Sequence, residues 1–197
     1  CQTSGAITGN GTVLIAYRDR TADEIRDISI VRRQNGIWSD PINVHADGWE
    51  ISGCPVNGPA ISAQQTDAVV AWFTGADNIA TIKVAFSEDS GITFGPAFQV
   101  GSGEGVGRVD TLMLATGDAL ISWVEWTSDG EALMSCLATK NDGCVARQTI
   151  TEHTAAGSFN FPKLVRSGDT IYLAWTQPID SEADFSTIRM VALELSD

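Results

Sequence analysis

Positive charge is what this chain has least of. Lys and Arg number 12 against 25 Asp and Glu, giving a formal net charge of -13. A surface for nucleic acid or anionic lipid is therefore not expected, because phosphate binding needs clustered cationic side chains. No apolar run reaches the roughly 18 residues of a membrane-crossing helix, so no membrane span is expected. No stretch has the make-up of a signal sequence, and the chain begins at Cys1 without an initiator Met. No long segment carries an apolar stripe of helical period, and β-branched and aromatic residues dominate the apolar segments, which nearly excludes helix. Of the two histidines, His45 has Cys54 as its conceivable metal-binding partner. That pair lacks compact ligand spacing, so neither a metal nor a cofactor is expected.

What remains is a chain of 197 residues that is 43% hydrophobic, enough to bury a substantial core in one continuous fold. Its four cysteines allow three pairings and are compatible with an oxidising compartment. Cys136 and Cys144 bracket one short predicted hairpin loop and are the favoured pair. Cys1 and Cys54 are the other. The acidity suits the solubility of an exported protein.

One apolar-aromatic strand recurs four times, as VLIAYRD at 13–19, AVVAWFT at 68–74, ALISWVE at 119–125 and IYLAWTQ at 171–177. Its aromatic positions, Tyr17, Trp72, Trp123 and Trp175, are spaced by 55, 51 and 52 residues. That period is right for a four-stranded blade with its loops. In the second unit the order reads PAISAQ, AVVAWFT, IKVAFS and AFQV, with turns rich in Gly, Asp and Ser between. The sequence thus predicts an all-β, propeller-type fold of four-stranded antiparallel blades, a single domain with blades at about 1–46, 52–101, 105–152 and 158–197. The fourth unit shows three strands before Asp197. A closed propeller commonly completes its last blade with a strand from the chain's beginning, and nothing before Cys1 can serve. The expectation is that N-terminal blades, or a partner chain, close the ring, with a six-bladed parent preferred over a complete four-bladed ring.

Between the third and fourth strands of the second unit stands Ser87-Glu88-Asp89-Ser90-Gly91-Ile92-Thr93-Phe94. Ser87, Asp89, Gly91, Thr93 and Phe94 fit the pattern SxDxGxTF. Asp and Ser oxygens can accept local backbone N–H bonds, Gly permits positive φ, and the aromatic packs under the loop. The equivalent turn of the first unit, Arg33 to Trp38, keeps the Gly and the aromatic, whereas Lys140-Asn141-Asp142-Gly143 keeps only the turn. With these turns the chain resembles the Asp-box, or BNR-repeat, sialidase-like propellers, and AYRDR, DGWEISGCPVNGP and VAWF resemble its bacterial exo-sialidase-like branch. The resemblance implies a secreted, periplasmic or outer-surface protein acting on a carbohydrate or glycoconjugate. It also implies a pocket on the face opposite the Asp boxes.

Aligning the units puts Gln2, Asn57, Arg108 and Asn160 in one column at the entrance to the innermost strands, where amides and a guanidinium could bind sugar hydroxyls or a carboxylate. The same groups could instead satisfy one another and channel water. Asp19, Thr74, Glu125 and Gln177 form a second column, at the end of the second strand. Asp19 and Glu125 are the candidate acid and base of a glycosidase, or else solvated or Arg-paired carboxylates. Arg18, Asp19 and Arg20, followed by Asp23, Glu24, Arg26 and Asp27, read as a substrate clamp or as an ion-pair network stiffening a long loop. Trp49, in a Gly-flanked loop, is the candidate for stacking on a sugar, or a lid over the next blade.

The resembling sialidases use a tyrosine nucleophile, an aspartate acid/base and three arginines. Arg18 and Arg108 match an arginine clamp and Asp19 an acid, but Tyr17 and Tyr172 align with core positions and the Arg-Ile-Pro signature is absent. The function expected is glycan-directed, binding or hydrolysing a terminal sugar, acidic sugars included. The alternative is a non-catalytic scaffold of an exported assembly.

Overall fold

The computed structural model describes residues 2–154, 157, 159–179 and 182–193. Four antiparallel sheets follow one another along the chain. The first holds β1 (Ser4–Ile7), β2 (Val13–Arg18) and β3 (Ile28–Gln34), with β4 (Ile37–Trp38) and β5 (Ile42–His45) both paired to β3. The second runs β6 (Ala60–Gln64), β7 (Asp67–Thr74), β8 (Thr81–Ser87) and β9 (Phe98–Gln99). The third runs β10 (Gly105–Met113), β11 (Ala119–Trp126), β12 (Glu131–Thr139) and β13 (Gly143–His153). The fourth has β14 (Asn160–Ser167), β15 (Thr170–Ile179) and β16 (Glu182–Leu193). Each sheet is an up-and-down meander, the connection that short Gly- and Asn-containing turns favour. Asn35 and Gly36, for example, both adopt positive φ in the two-residue loop joining β3 to β4.

The sheets stack in chain order, first on second, second on third and third on fourth. Period-two alternation makes this possible, since neighbouring side chains point to opposite faces. In β7, Val69 and Ala71 pack towards the third sheet while Ala68, Val70 and Trp72 pack towards the first. In β11, Ile121 and Trp123 face the second sheet, whereas Val124 faces the fourth. The repeated tryptophan therefore always points at the preceding sheet. Cys136 and Cys144 form a disulfide across the β12–β13 hairpin, with Cα atoms 5.8 Å apart. The other expected pair involves Cys1, which lies outside the described residues.

The two end sheets differ from the inner ones. Leu14 and Ala16 of β2 are buried against the second sheet. On the opposite face Val13, Ile15 and Tyr17 are only half-buried. The far face of the fourth sheet carries Val165, Ile188 and Met190 in the open, Ile188 at 76% exposure. Tyr172, paired with Val165 and Ala192, shares that face and is half-buried. Both tyrosines were expected in the core. Each stands instead on a sheet face that no described residue fully covers.

Candidate functional site

The innermost strands β1, β6, β10 and β14 begin close together, and their entrances form a mouth. The link from first to second sheet is tight, since a Cβ on Gly58 would lie 2.1 Å from the carbonyl oxygen of Gln2. From second to third, the Arg108 N–H donates to Asn57 Oδ1 (3.2 Å) and Asn57 Nδ2 donates to the Val106 carbonyl (2.8 Å). From third to fourth, the Arg108 guanidinium donates to the Phe159 carbonyl and lies 3.5 Å from Glu131. Between them opens a cavity of about 590 Å³ lined by Gln2, Cys54, Val56 and Phe161. The predicted column of Gln2, Asn57, Arg108 and Asn160 is thus gathered here, Asn57 and Arg108 in direct contact and Gln2 and Asn160 exposed.

The backbone around this mouth is strained. Val56, Arg108 and Phe161 take φ of 62°, 54° and 28°, in a region that L-residues other than Asn and Asp seldom occupy and that a β-branched side chain finds hardest. Register shifts mark β10 against β11 between Gly107 and Asp110, and β14 against β15 between Asn160 and Lys163. Such bulges re-aim side chains and recur beside functional sites. Phe161, inside the second of these shifts, is 39% exposed, and Val56, in the loop before β6, is 64% exposed. Neither was singled out by the sequence, although Phe161 directly follows Asn160 of the polar column.

The other predicted residues serve neighbouring contacts. Arg18 is only 8% exposed. Its guanidinium donates to the carbonyls of Asn57 (3.2 Å), Arg26 (2.6 Å) and Phe73 (2.5 Å). Burial lowers its pKa to about 10 against the opposing pull of Asp47 and Asp27. Trp49 corrects the sugar-stacking reading and fits the other, a lid over the next blade: it is buried, with Arg18 4.9 Å above its ring, Phe73 edge-on at 5.5 Å, and Gly75 beneath. An apolar ring with a backbone-anchored guanidinium on one face is better buried than wet. Arg20 and Arg26 both pair with Glu24, so the 18–27 loop is an ion-pair network, Arg20 remaining mostly exposed.

The second column has a role that its alignment did not reveal. Trp123 Nε1 donates to Glu125 Oε2 (2.9 Å) and Trp175 Nε1 to Gln177 Oε1 (2.8 Å). A buried indole N–H needs an acceptor, and the residue two places on along the strand supplies it. In the second sheet Thr74 does not, and Asp47 Oδ2 of the first reaches across to Trp72 (2.7 Å) while its Oδ1 accepts from Lys83 (2.5 Å). Glu125 also pairs with Arg147 and accepts from the Ser102 N–H (3.3 Å). Asp19, beside Tyr17 rather than a tryptophan, is half-buried and accepts from the Arg20 N–H (2.7 Å) and the Ser29 hydroxyl (3.1 Å). Burial, with Asp19 next, raises the Tyr17 phenol pKa. Asp19 and Glu125 therefore lie on different sheets with separate partners.

The SxDxGxTF turn closes on itself. Asp89 Oδ1 accepts the Ile92 and Thr93 N–H groups and Oδ2 the Thr93 hydroxyl, at 2.9, 2.9 and 2.6 Å. Ser87 Oγ accepts the Gly91 N–H (2.9 Å), with Gly91 at φ 75°. Phe94 packs against the core between the first and second sheets. Arg32 Nε (2.7 Å) and Asn10 Nδ2 (3.0 Å) of the first sheet reach Ser90, so the turn also joins two sheets. A further polar cavity, about 320 Å³, lies where the third and fourth sheets meet and is lined by Thr127, Asp129, Glu152, His153, Thr154 and Gln177.

Successive antiparallel sheets whose innermost strands converge on one mouth define a fold of the β-propeller type. Solved structures with the same architecture include several carbohydrate-active enzymes, alongside a protein of unknown function from Dyadobacter fermentans that is 16% identical over 95% of this chain and 51% of its own, with a TM-score of 0.61. An α-L-arabinanase from Penicillium chrysogenum is 9% identical over 96% of this chain and 61% of its own, with a TM-score of 0.64. A xylan β-1,4-xylosidase from Bacillus halodurans is 12% identical over 98% and 39%, with a TM-score of 0.62. The Hadza microbial sialidase Hz136 is 14% identical over 96% and 43%, with a TM-score of 0.58. The chain spans less than two thirds of each. No protein-family model and no curated protein matches the sequence.

Proposed function

We propose that this chain is part of a glycan-directed propeller whose mouth binds a terminal sugar of an extracellular glycan. The observation that carries the reading is a cavity walled by two strained backbone positions, Val56 and the exposed aromatic Phe161, with a third, Arg108, bonded to Asn57 beside it. A fold does not keep such conformations cheaply, and they cluster where a side chain must be aimed at a ligand. The propeller hydrolases that share the architecture favour a carbohydrate over other small ligands, and the turn at Ser87–Phe94 favours the Asp-box, sialidase-like branch. In that branch Asp19 is the carboxyl to test as an acid. The half-covered apolar faces of the first and fourth sheets favour further blades, or a partner chain, closing a larger ring of six. The Cys136–Cys144 bridge suits an exported protein, since such bonds persist in oxidising compartments.

The open sheet faces also favour a second reading, a scaffold module of an exported assembly that engages partners through sheet packing. The two part on one experiment: a fluorogenic glycoside panel together with a glycan-binding array, run on the intact protein and on Asp19→Asn. Sugar binding, with or without turnover, is expected. Neither binding nor turnover by the intact protein would leave the scaffold.

A further inference from the structure

We infer that the mouth selects a neutral sugar and rejects a carboxylated one. This rests on the glycan reading above and narrows it. None of the described residues lining the cavity is charged: Gln2 presents an amide, Val56 and Phe161 apolar surface, and Cys54 completes the wall. Binding a sugar carboxylate requires a guanidinium or ammonium free to turn towards it. The arginines of this face are already engaged. Arg18 lies beneath the mouth, with Nε, Nη1 and Nη2 on three backbone carbonyls. Arg108 is turned to Phe159 and to Glu131, whose side chain is 1% exposed. Drawing Arg108 towards a ligand would take its guanidinium away from that buried carboxylate, which costs energy. Arg20 and Arg26 share Glu24, and Arg147 holds Glu125.

The surrounding field points the same way. Glu152 and Asp129 line the neighbouring cavity, no Lys or Arg is among its described lining residues, and the whole chain carries -13. An approaching anion is repelled over the Debye length, whereas a neutral ring is indifferent to the field. Recognition falls to two groups of suitable chemistry. Phe161 offers a partly exposed ring for the C–H face of a sugar. The exposed amides of Gln2 and Asn160 can both donate to and accept from hydroxyls.

The test is calorimetric titration of the intact protein with neutral pentose and hexose oligosaccharides and with sialylated and uronic-acid oligosaccharides of equal length, each at low and at physiological salt. Neutral ligands are expected to bind with affinity changing less than about twofold with salt. Phe161→Ala is expected to weaken them about tenfold, roughly the energy of one ring contact, and Phe161→Trp to restore them. Preferential binding of acidic ligands, weakened by salt, would overturn the neutral assignment while leaving the glycan reading standing. Neutral binding that Phe161→Ala leaves untouched would overturn the assignment to this mouth. Binding of neither class would remove the glycan reading itself.

Discussion

The Ser87–Phe94 turn and the mouth are both places where strands of neighbouring sheets meet, and they differ in how local side chains satisfy the backbone around them. In the turn, Ser90 and Gly91 stand at positive φ (59° and 75°), and the Asp89 oxygens accept from N–H and hydroxyl groups within four residues. At the mouth, Val56, Arg108 and Phe161 also take positive φ, one of them β-branched and one aromatic, and the Val56 and Phe161 side chains are left open. One end is built for closure. The other keeps a cost that only a ligand or a neighbouring contact would repay, which is why we place function there.

The largest effect expected is on the support behind the mouth. Glu131 Oε1 accepts the Gly157 N–H (2.8 Å) and its Oε2 faces Arg108 (3.5 Å) and the Phe159 N–H (3.5 Å). Glu131→Ala leaves the Arg108 charge without its acid and should cost about 3–5 kcal/mol, read as a shift of the urea midpoint. A change under about 1 kcal/mol would mean that Arg108 is free to turn towards a ligand, weakening the contrast between the two ends.

Next comes the turn itself. Asp89→Ala removes an ionised acceptor from two amides and a hydroxyl, a loss of about 2–3 kcal/mol. Because the turn does not line the mouth, sugar affinity should stay within about twofold. A large fall in affinity without a fall in stability would place the ligand at the turn instead.

How these two regions differ in legibility follows from the same physics. The turn was readable because each of its jobs requires a residue type: an acceptor at 87 and 89, positive φ at 91, an aromatic at 94. The four sheets were readable for a similar reason, since the apolar strand around Trp72, Trp123 and Trp175 recurs at a fixed spacing, whereas which face meets which neighbour came from the packing. The mouth was half readable. Alignment brought Gln2, Asn57, Arg108 and Asn160 to one place, but it could not show the bulge at Phe161 or the positive φ of Val56, because both depend on what the adjacent sheet permits. Trp49 stayed undecided between open stacking and a lid because flanking Gly suits both, and the gap at Gly75 into which its ring sinks settles it as the lid. Glu125 misled because a strand-end carboxylate looks alike whether it faces substrate or caps the indole two residues back.

A smaller effect tests the strain directly. Val56→Gly relaxes a β-branched residue held at φ 62°. Glycine also gains freedom in the unfolded chain, so the net stabilisation should be only about 1 kcal/mol. Sugar affinity should fall as apolar wall is lost. A more stable variant that binds less well would show that the mouth trades stability for recognition, whereas a destabilised one would show the conformation to be unstrained.

The smallest effect distinguishes the two ends by pH, through Asp89 in the turn and Asp110 of β10 beside the fourth sheet. Burial alone would raise the Asp89 pKa, but the hydroxyls of Thr93 and Ser87 and the N–H groups of Thr93 and Ile92 together hold it below its ordinary value. For Asp110 burial wins, and the pKa is raised although Lys163 (3.3 Å) and the Leu164 N–H (2.7 Å) oppose it. Folding therefore favours the ionised form of Asp89 and the protonated form of Asp110. Stability from Asp89 is complete above the unfolded aspartate pKa of about 3.9 and is lost as pH falls through the lower folded value. Asp110 behaves in reverse. Its contribution is most favourable below about 3.9 and declines as pH rises through the higher folded value, above which the buried charge is a standing cost. Urea midpoints measured from about pH 6 down to about pH 3 should thus show the stability difference between the parent and Asp89→Asn shrinking on acidification. The difference between the parent and Asp110→Asn should move in the parent's favour. Slopes of the same sign for the two variants would mean that one of these carboxylates is not in the environment described, and with it the contrast between a self-satisfied turn and a strained inner strand would fail.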